Sequence, residues 1–128
     1  MFIRRVLFFL YLVFLMILSI CKSAEIFLPY IYQFEYFLGG DKWMHFKLAL
    51  LLGLLSVLAF TSTRLIWVLL MLLSGLVLDE ALQYVLASRR FEWLDGIYGV
   101  AGLLFGVAIS AALLKLAHGR FIIVKNDD

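Results

Sequence analysis

Four apolar runs dominate this chain, at 6–21, 43–60, 65–86 and 97–116, each near or above the length at which a helix crosses a hydrocarbon core. Roughly 20 apolar residues rising about 1.5 Å each span the ~30 Å interior of a bilayer. Hydrophobic residues make up 66% of the 128 residues, and mean hydropathy is +1.07. Soluble domains are close to half apolar, so a chain of this composition needs lipid as its solvent. The sequence therefore predicts an all-α integral membrane bundle of about four transmembrane helices, one domain over 1–128, with the bilayer as its first partner. The net charge of +2 is dispersed among apolar runs and forms no dense basic face, which excludes nucleic-acid binding. A single cysteine, Cys21, permits neither an intramolecular disulfide nor a multi-cysteine metal site.

The first run follows Arg4 and Arg5, a shape shared by anchors and signal peptides. Cleavage after Ala24 would put Lys22 where a small residue is wanted, and Ile20 before Cys21 spoils a lipoprotein-type site, so a retained anchor is the expectation. Between the first two spans, Pro29 and Gly39–Gly40 interrupt helix, while Ile26, Phe27, Tyr30, Tyr32, Phe34, Tyr36 and Phe37 keep the segment apolar. Aromatic rings with a polar edge suit the headgroup boundary, which predicts an interfacial segment there.

With four spans and both termini inside, Arg4, Arg5, Arg64, Lys115, Arg120 and Lys125 are cytoplasmic, against Lys22, Lys42, Lys47, Arg89 and Arg90 outside. Retention of basic residues, above all the Arg4–Arg5 pair, predicts cytoplasmic termini in a multi-pass membrane protein. Under either orientation Glu25, Glu35, Asp41, Glu92 and Asp95 share one face, with Asp79 and Glu80 just inside it. Ionisable groups at that depth cost a few kcal/mol or more unless they turn inward and find partners.

At about 100° per residue, Asp79, Glu80 and Gln83 occupy one arc and can point inward together. Asp41 and His45, four apart, share a face. Asp95, Gly99, Gly102, Gly106 and Ser110 form a stripe in which Gly102, Gly106 and Ser110 follow a small-xxx-small pattern, admitting a neighbouring helix closely. That stripe is expected to pack on the second or third span and bring Asp95 toward Glu80 and His45.

The order Asp41, Lys42, two residues, His45, Phe46, then Gly53, followed by Asp79, Glu80, two residues, Gln83, then Arg89, Asp95, Gly102 and Gly106, resembles the VanZ-like family. These are small bacterial membrane proteins named for a member linked to teicoplanin resistance. The resemblance covers 41–106. This chain has Ala49 where the family usually shows tyrosine and Gly99 where it usually shows asparagine. The resemblance implies a cell-envelope protein with a phenotype in glycopeptide resistance.

Plainer accounts exist for each feature. Glu80 with Gln83 can be a buried polar pair fixing helix register. Asp41 can be the N-cap of its helix, serving the amides of Trp43 and Met44, or can orient the His45 imidazole for acid–base work. Arg89 and Arg90 can be headgroup anchors, or Arg89 can grip a phosphate or carboxylate bidentately. Gly99, Gly102, Gly106 and Ser110 are packing residues, and His118 a juxtamembrane residue.

Two functions of different class follow. In the first, an extracytoplasmic polar cluster of Asp41, Lys42, His45, Asp79, Glu80, Gln83, Arg89 and Asp95 binds an anionic lipid-linked or peptidoglycan-related component and alters glycopeptide susceptibility. In the second, the same face is an enzyme acting on a phosphate-bearing or lipid-linked substrate, with Glu80, His45 and Asp95 as candidate catalytic groups. No cofactor is expected. No metal is assigned either, because no spacing such as two histidines four apart is present. A proton or ion path is disfavoured by the almost wholly apolar cytoplasmic halves of the spans.

Overall fold

Helix termini in this chain are set by a few residues that cannot continue a helix or that start one. In the computed structural model the backbone is described for residues 1–60, 62–86 and 90–125, and side chains for those residues other than 62 and 118–125. Among the described residues the chain forms five helices and no strand: α1 (Phe2–Ser23), α2 (Leu28–Phe37), α3 (Asp41–Ala59), α4 (Ser62–Val85) and α5 (Trp93–Lys125).

The turn after α1 passes through Glu25 and Phe27, both at φ 58°, before α2 begins. Pro29 sits in the first turn of α2, where a missing N–H costs no helical hydrogen bond. Gly39 and Gly40 follow at φ 97° and 104°, a backbone that side chains rarely tolerate, and this is what separates α2 from α3. Gly40, rather than Asp41, is the N-cap of α3, and no side chain caps that end. Asp41 is the first helical residue, with its carboxylate engaged elsewhere. The N-cap role expected of Asp41 is therefore replaced: its sequence type suited a cap, but the left-handed glycine ahead of it makes the turn.

Among the described residues four helices are long and apolar enough to cross a membrane: Phe2–Ser23, Asp41–Ala59, Thr63–Val85 and Trp93–Ala117. They correspond to the four apolar runs but each begins before its run, because backbone hydrogen bonding already holds at the flanking residues where hydropathy falls. The short α2, ten residues long, fills the connection between the first two; it exposes Tyr30, Tyr32, Tyr36 and Phe37 and buries Ile31 and Glu35.

The tightest helix pair is α3 with α5. A Cβ added at Gly102 would collide with the Phe46 carbonyl, one at Gly106 with the Leu50 carbonyl, and one at Gly53 with the Leu103 carbonyl. Backbones approach here with nothing between them, which is how small residues hold helices together where lipid removes the hydrophobic driving force. Ser110 extends the seam by donating to the Leu54 carbonyl at 3.4 Å. Gly99 faces the other way, its added Cβ meeting Leu76 of α4 at 3.7 Å. The stripe thus divides, with Gly102, Gly106 and Ser110 on α3 and Gly99 on α4.

Helix α1 closes over α3 through Phe8, which is fully buried, and through the Tyr11 hydroxyl, which donates to the Leu48 carbonyl at 2.9 Å. At the opposite end from the acidic groups, Arg5 donates to the Ala59 carbonyl at 3.4 Å and lies 6.0 Å from the Phe60 ring centroid. Most apolar side chains of α1 and α4 remain on the outside, including Phe2, Leu10, Ile17, Trp67, Val77 and Leu78, the surface a bilayer would cover.

Candidate functional site

Because consecutive spans run antiparallel, the end of α1, the start of α3, the end of α4 and the start of α5 meet at one end of the bundle. The polar side chains there form two groups. In the first, Lys22 reaches from the last turn of α1 to a carboxylate oxygen of Glu35 on α2 and, at 2.8 Å, to Asp41 Oδ1 on α3. One turn further along α3, His45 Nε2 lies 3.5 Å from the same Asp41 oxygen. Asp95, in the first turn of α5, completes this group: one ligand atom from each of Asp41, His45 and Asp95 lies within 4.8 Å of the other two. Asp95 is 3% exposed, and its Oδ1 is buried without a hydrogen-bond partner among the described residues.

The second group belongs to α4. The Gln83 amide, 3% exposed, donates to Glu80 Oε1 at 3.2 Å and toward Asp79 Oδ2 at 3.4 Å. Asp79 also accepts from Ser19 of α1 at 2.5 Å. The arc predicted for Asp79, Glu80 and Gln83 therefore exists as a hydrogen-bonded unit tied to α1. Glu80 borders α5, since a Cβ on Gly96 would come 3.2 Å from Glu80 Cγ. The glycine after Asp95 thus gives Glu80 its place.

Lys42 stands apart from both groups. It pairs with Glu92 at 2.7 Å on the exposed rim, with side chains 38% and 49% exposed. Lys47 donates to the Leu38 carbonyl at 2.8 Å and braces the α2–α3 turn. Of the eight residues expected in the polar cluster, Arg89 lies outside the described residues. The side chain of His118 does too.

Between α4 and α5, beside Glu80, lies an apolar cleft of about 800 Å³ whose walls include Leu76, Tyr84, Phe91, Trp93 and Ile97. Tyr84 and Phe91, both in its walls, meet edge to face with ring centroids 5.9 Å apart.

Two features of this end escape a reading of the sequence. Lys22 and Glu35 look like boundary residues, and only the close packing of α1 and α2 on the start of α3 makes Lys22 the shared partner of two carboxylates. The convergence of Asp41, His45 and Asp95 as possible metal ligands has no local spacing to reveal it, because the first two sit on α3 and the third on α5. No family model, curated protein or solved structure matches the chain.

Proposed function

We propose that this chain is a VanZ-like, multi-pass protein of the bacterial cytoplasmic membrane, with cytoplasmic termini and its polar end turned outward. There it binds an anionic, lipid-linked or peptidoglycan-related envelope component and so alters susceptibility to teicoplanin. The resemblance rests on residues of 41–106 alone. The observation that carries the reading is spatial: Asp41 and His45, Asp79, Glu80 and Gln83, and Asp95 come from three different helices and lie at one end of the bundle. Intramembrane carboxylates are costly, and gathering them at one mouth is better explained by a task than by helix register.

An anionic ligand needs a cation it can recruit. Lys22 is held between Glu35 and Asp41, whereas the Lys42–Glu92 pair lies on the exposed rim, where water and salt screen it. Lys42 is thus the residue that exchanges partners at little cost. The apolar cleft beside Glu80 gives a lipid-linked ligand room for its chain next to that mouth.

A second reading, an enzyme using Glu80 or His45 as acid or base on a phosphate-bearing substrate, draws support from the 3.5 Å approach of His45 to Asp41, which orients the imidazole. One assay addresses both. The wild type, Glu80→Gln and Asp95→Asn are expressed at matched membrane levels in a sensitive Gram-positive host and teicoplanin susceptibility is read. Protection by the wild type that both variants lose supports the site. Complete loss in Glu80→Gln favours catalysis, and partial retention favours binding. A well-expressed wild type that gives no protection removes the resistance reading and leaves the bundle as described.

A further inference from the structure

We propose that Asp41, His45 and Asp95 bind a divalent transition-metal ion of the zinc or manganese class at the polar end of the α3–α5 pair. Two carboxylates and an imidazole offer ligand atoms that all lie within 4.8 Å of one another. Around a tetrahedral ion with bonds of about 2.1 Å, ligand atoms sit roughly 3.4 Å apart. The 3.5 Å between His45 Nε2 and Asp41 Oδ1 already matches that separation, from two residues four apart on one helix. Asp95 completes the set from α5, its ligand atom within 4.8 Å of the other two.

A second observation, independent of the cluster, comes from Asp95 itself. It is 3% exposed, and its Oδ1 has no hydrogen-bond partner among the described residues, although buried carboxylate oxygens are as a rule partnered. Charge points the same way: with His45 neutral, as a metal ligand must be, the ligand set of Asp41, His45 and Asp95 carries two negative charges, the complement of a divalent ion.

The surroundings hold the ligands in place. Lys22 fixes Asp41 at 2.8 Å and is itself held by Glu35, an outer layer of the kind that orients ligating carboxylates. Gly102 lets α5 rest on the Phe46 carbonyl, the residue after His45, and this contact sets the distance between the two halves of the site. Asp41 is 38% exposed on its side chain, which leaves an entry path from the aqueous side.

The donor set chooses the class of ion. One imidazole among two carboxylates suits zinc or manganese; calcium requires six to eight oxygens, and no thiolate joins the group to favour copper(I). Three protein ligands leave positions open for water or for an oxygen of an anionic ligand. The metal site stands or falls separately from the teicoplanin reading, because its test needs neither a host nor a drug.

The experiment is calorimetric titration of the tag-free, chelator-stripped full chain in nanodiscs with zinc chloride and, separately, manganese chloride. One saturable equivalent is expected, with affinity falling roughly tenfold or more in both Asp95→Asn and His45→Gln, at least the loss seen for groups that merely support a ligand. Glu25→Gln, on the same side but outside the site, should keep wild-type affinity. X-ray absorption of the zinc-loaded wild type should show a nitrogen and oxygen shell at about 2.0–2.1 Å with imidazole scattering. A helical wild-type chain that binds neither ion saturably overturns the proposal. So does binding that survives both substitutions, or an absorption shell without imidazole, and this last result decides the matter even if Asp95→Asn fails to fold.

Discussion

Lys22 shows how one side chain organises the polar end. Its ammonium satisfies Glu35 and Asp41 together, joining α1, α2 and α3 through a single charge. Replacing it by methionine keeps the length and removes the charge, leaving a buried Glu35 beside Asp41 with no cation between them. Loss of one partner from a deeply buried pair costs about 3–5 kcal/mol; here the side chains are partly accessible, so a loss of about 2 kcal/mol is expected in detergent-titrated unfolding. Adding Glu35→Gln should recover part of it, and a double variant no more stable than Lys22→Met would show that the pair is not the cause. Tyr11 offers a contrast. Its hydroxyl donates to a Leu48 carbonyl that also serves the α3 ladder, so Tyr11→Phe strands no acceptor and should cost only about 0.6 kcal/mol in the same unfolding measurement. At this scale the sequence was partly legible: the shared arc of Asp79, Glu80 and Gln83 follows from helical geometry alone. The partners of Lys22 do not, since they depend on how α2 folds back. Of the two readings its residue type allows for Asp41, cap or partner of His45, Gly40 takes the cap and the carboxylate lies 3.5 Å from His45 Nε2.

Among the elements, the α3–α5 seam decides the architecture, and three glycines decide the seam. Gly102→Ala and Gly106→Ala each push a methyl group into a backbone carbonyl that has no side-chain freedom with which to retreat. Each should lower stability by about 1–3 kcal/mol, the usual range for overpacking. Gly75→Ala, on α4 with nothing within 4 Å of the added atom, is the control. It should be neutral or stabilising by up to about 1 kcal/mol through helix propensity. Thermal unfolding followed by circular dichroism separates the two classes; equal losses at all three positions would mean that the seam is not where the bundle is held. The small-xxx-small pattern made this interface visible in advance, but not its division of labour. Which neighbour each glycine meets depends on the angle at which α5 crosses α3 and α4, and that angle is a property of the packed bundle rather than of α5. Gly99 is the case in point: it lies on the same stripe as Gly102 and yet rests on Leu76 of the other neighbour.

For the whole molecule, hydropathy located the four spans to within a few residues, because the bilayer thickness fixes how long an apolar helix has to be. It also predicted that the acids gather at one end, which follows from antiparallel connectivity whatever the orientation. The meeting of Asp41 and His45 with Asp95 was legible only as a direction, since the side chains come from helices separated in sequence by all of α4. The central claim is that this end, with its polar groups, faces out of the cell. Single cysteines placed in a Cys21→Ser background at Ala24, Thr63, Glu92 and Lys115, and challenged in intact spheroplasts with a membrane-impermeant maleimide, test it most directly. The account predicts labelling at 24 and 92, with 63 and 115 reacting only after permeabilisation. Labelling of 63 and 115 but not 24 and 92 would turn the site to the cytoplasm and contradict the outward placement, and opposite behaviour of 24 and 92 would contradict the four-span bundle itself.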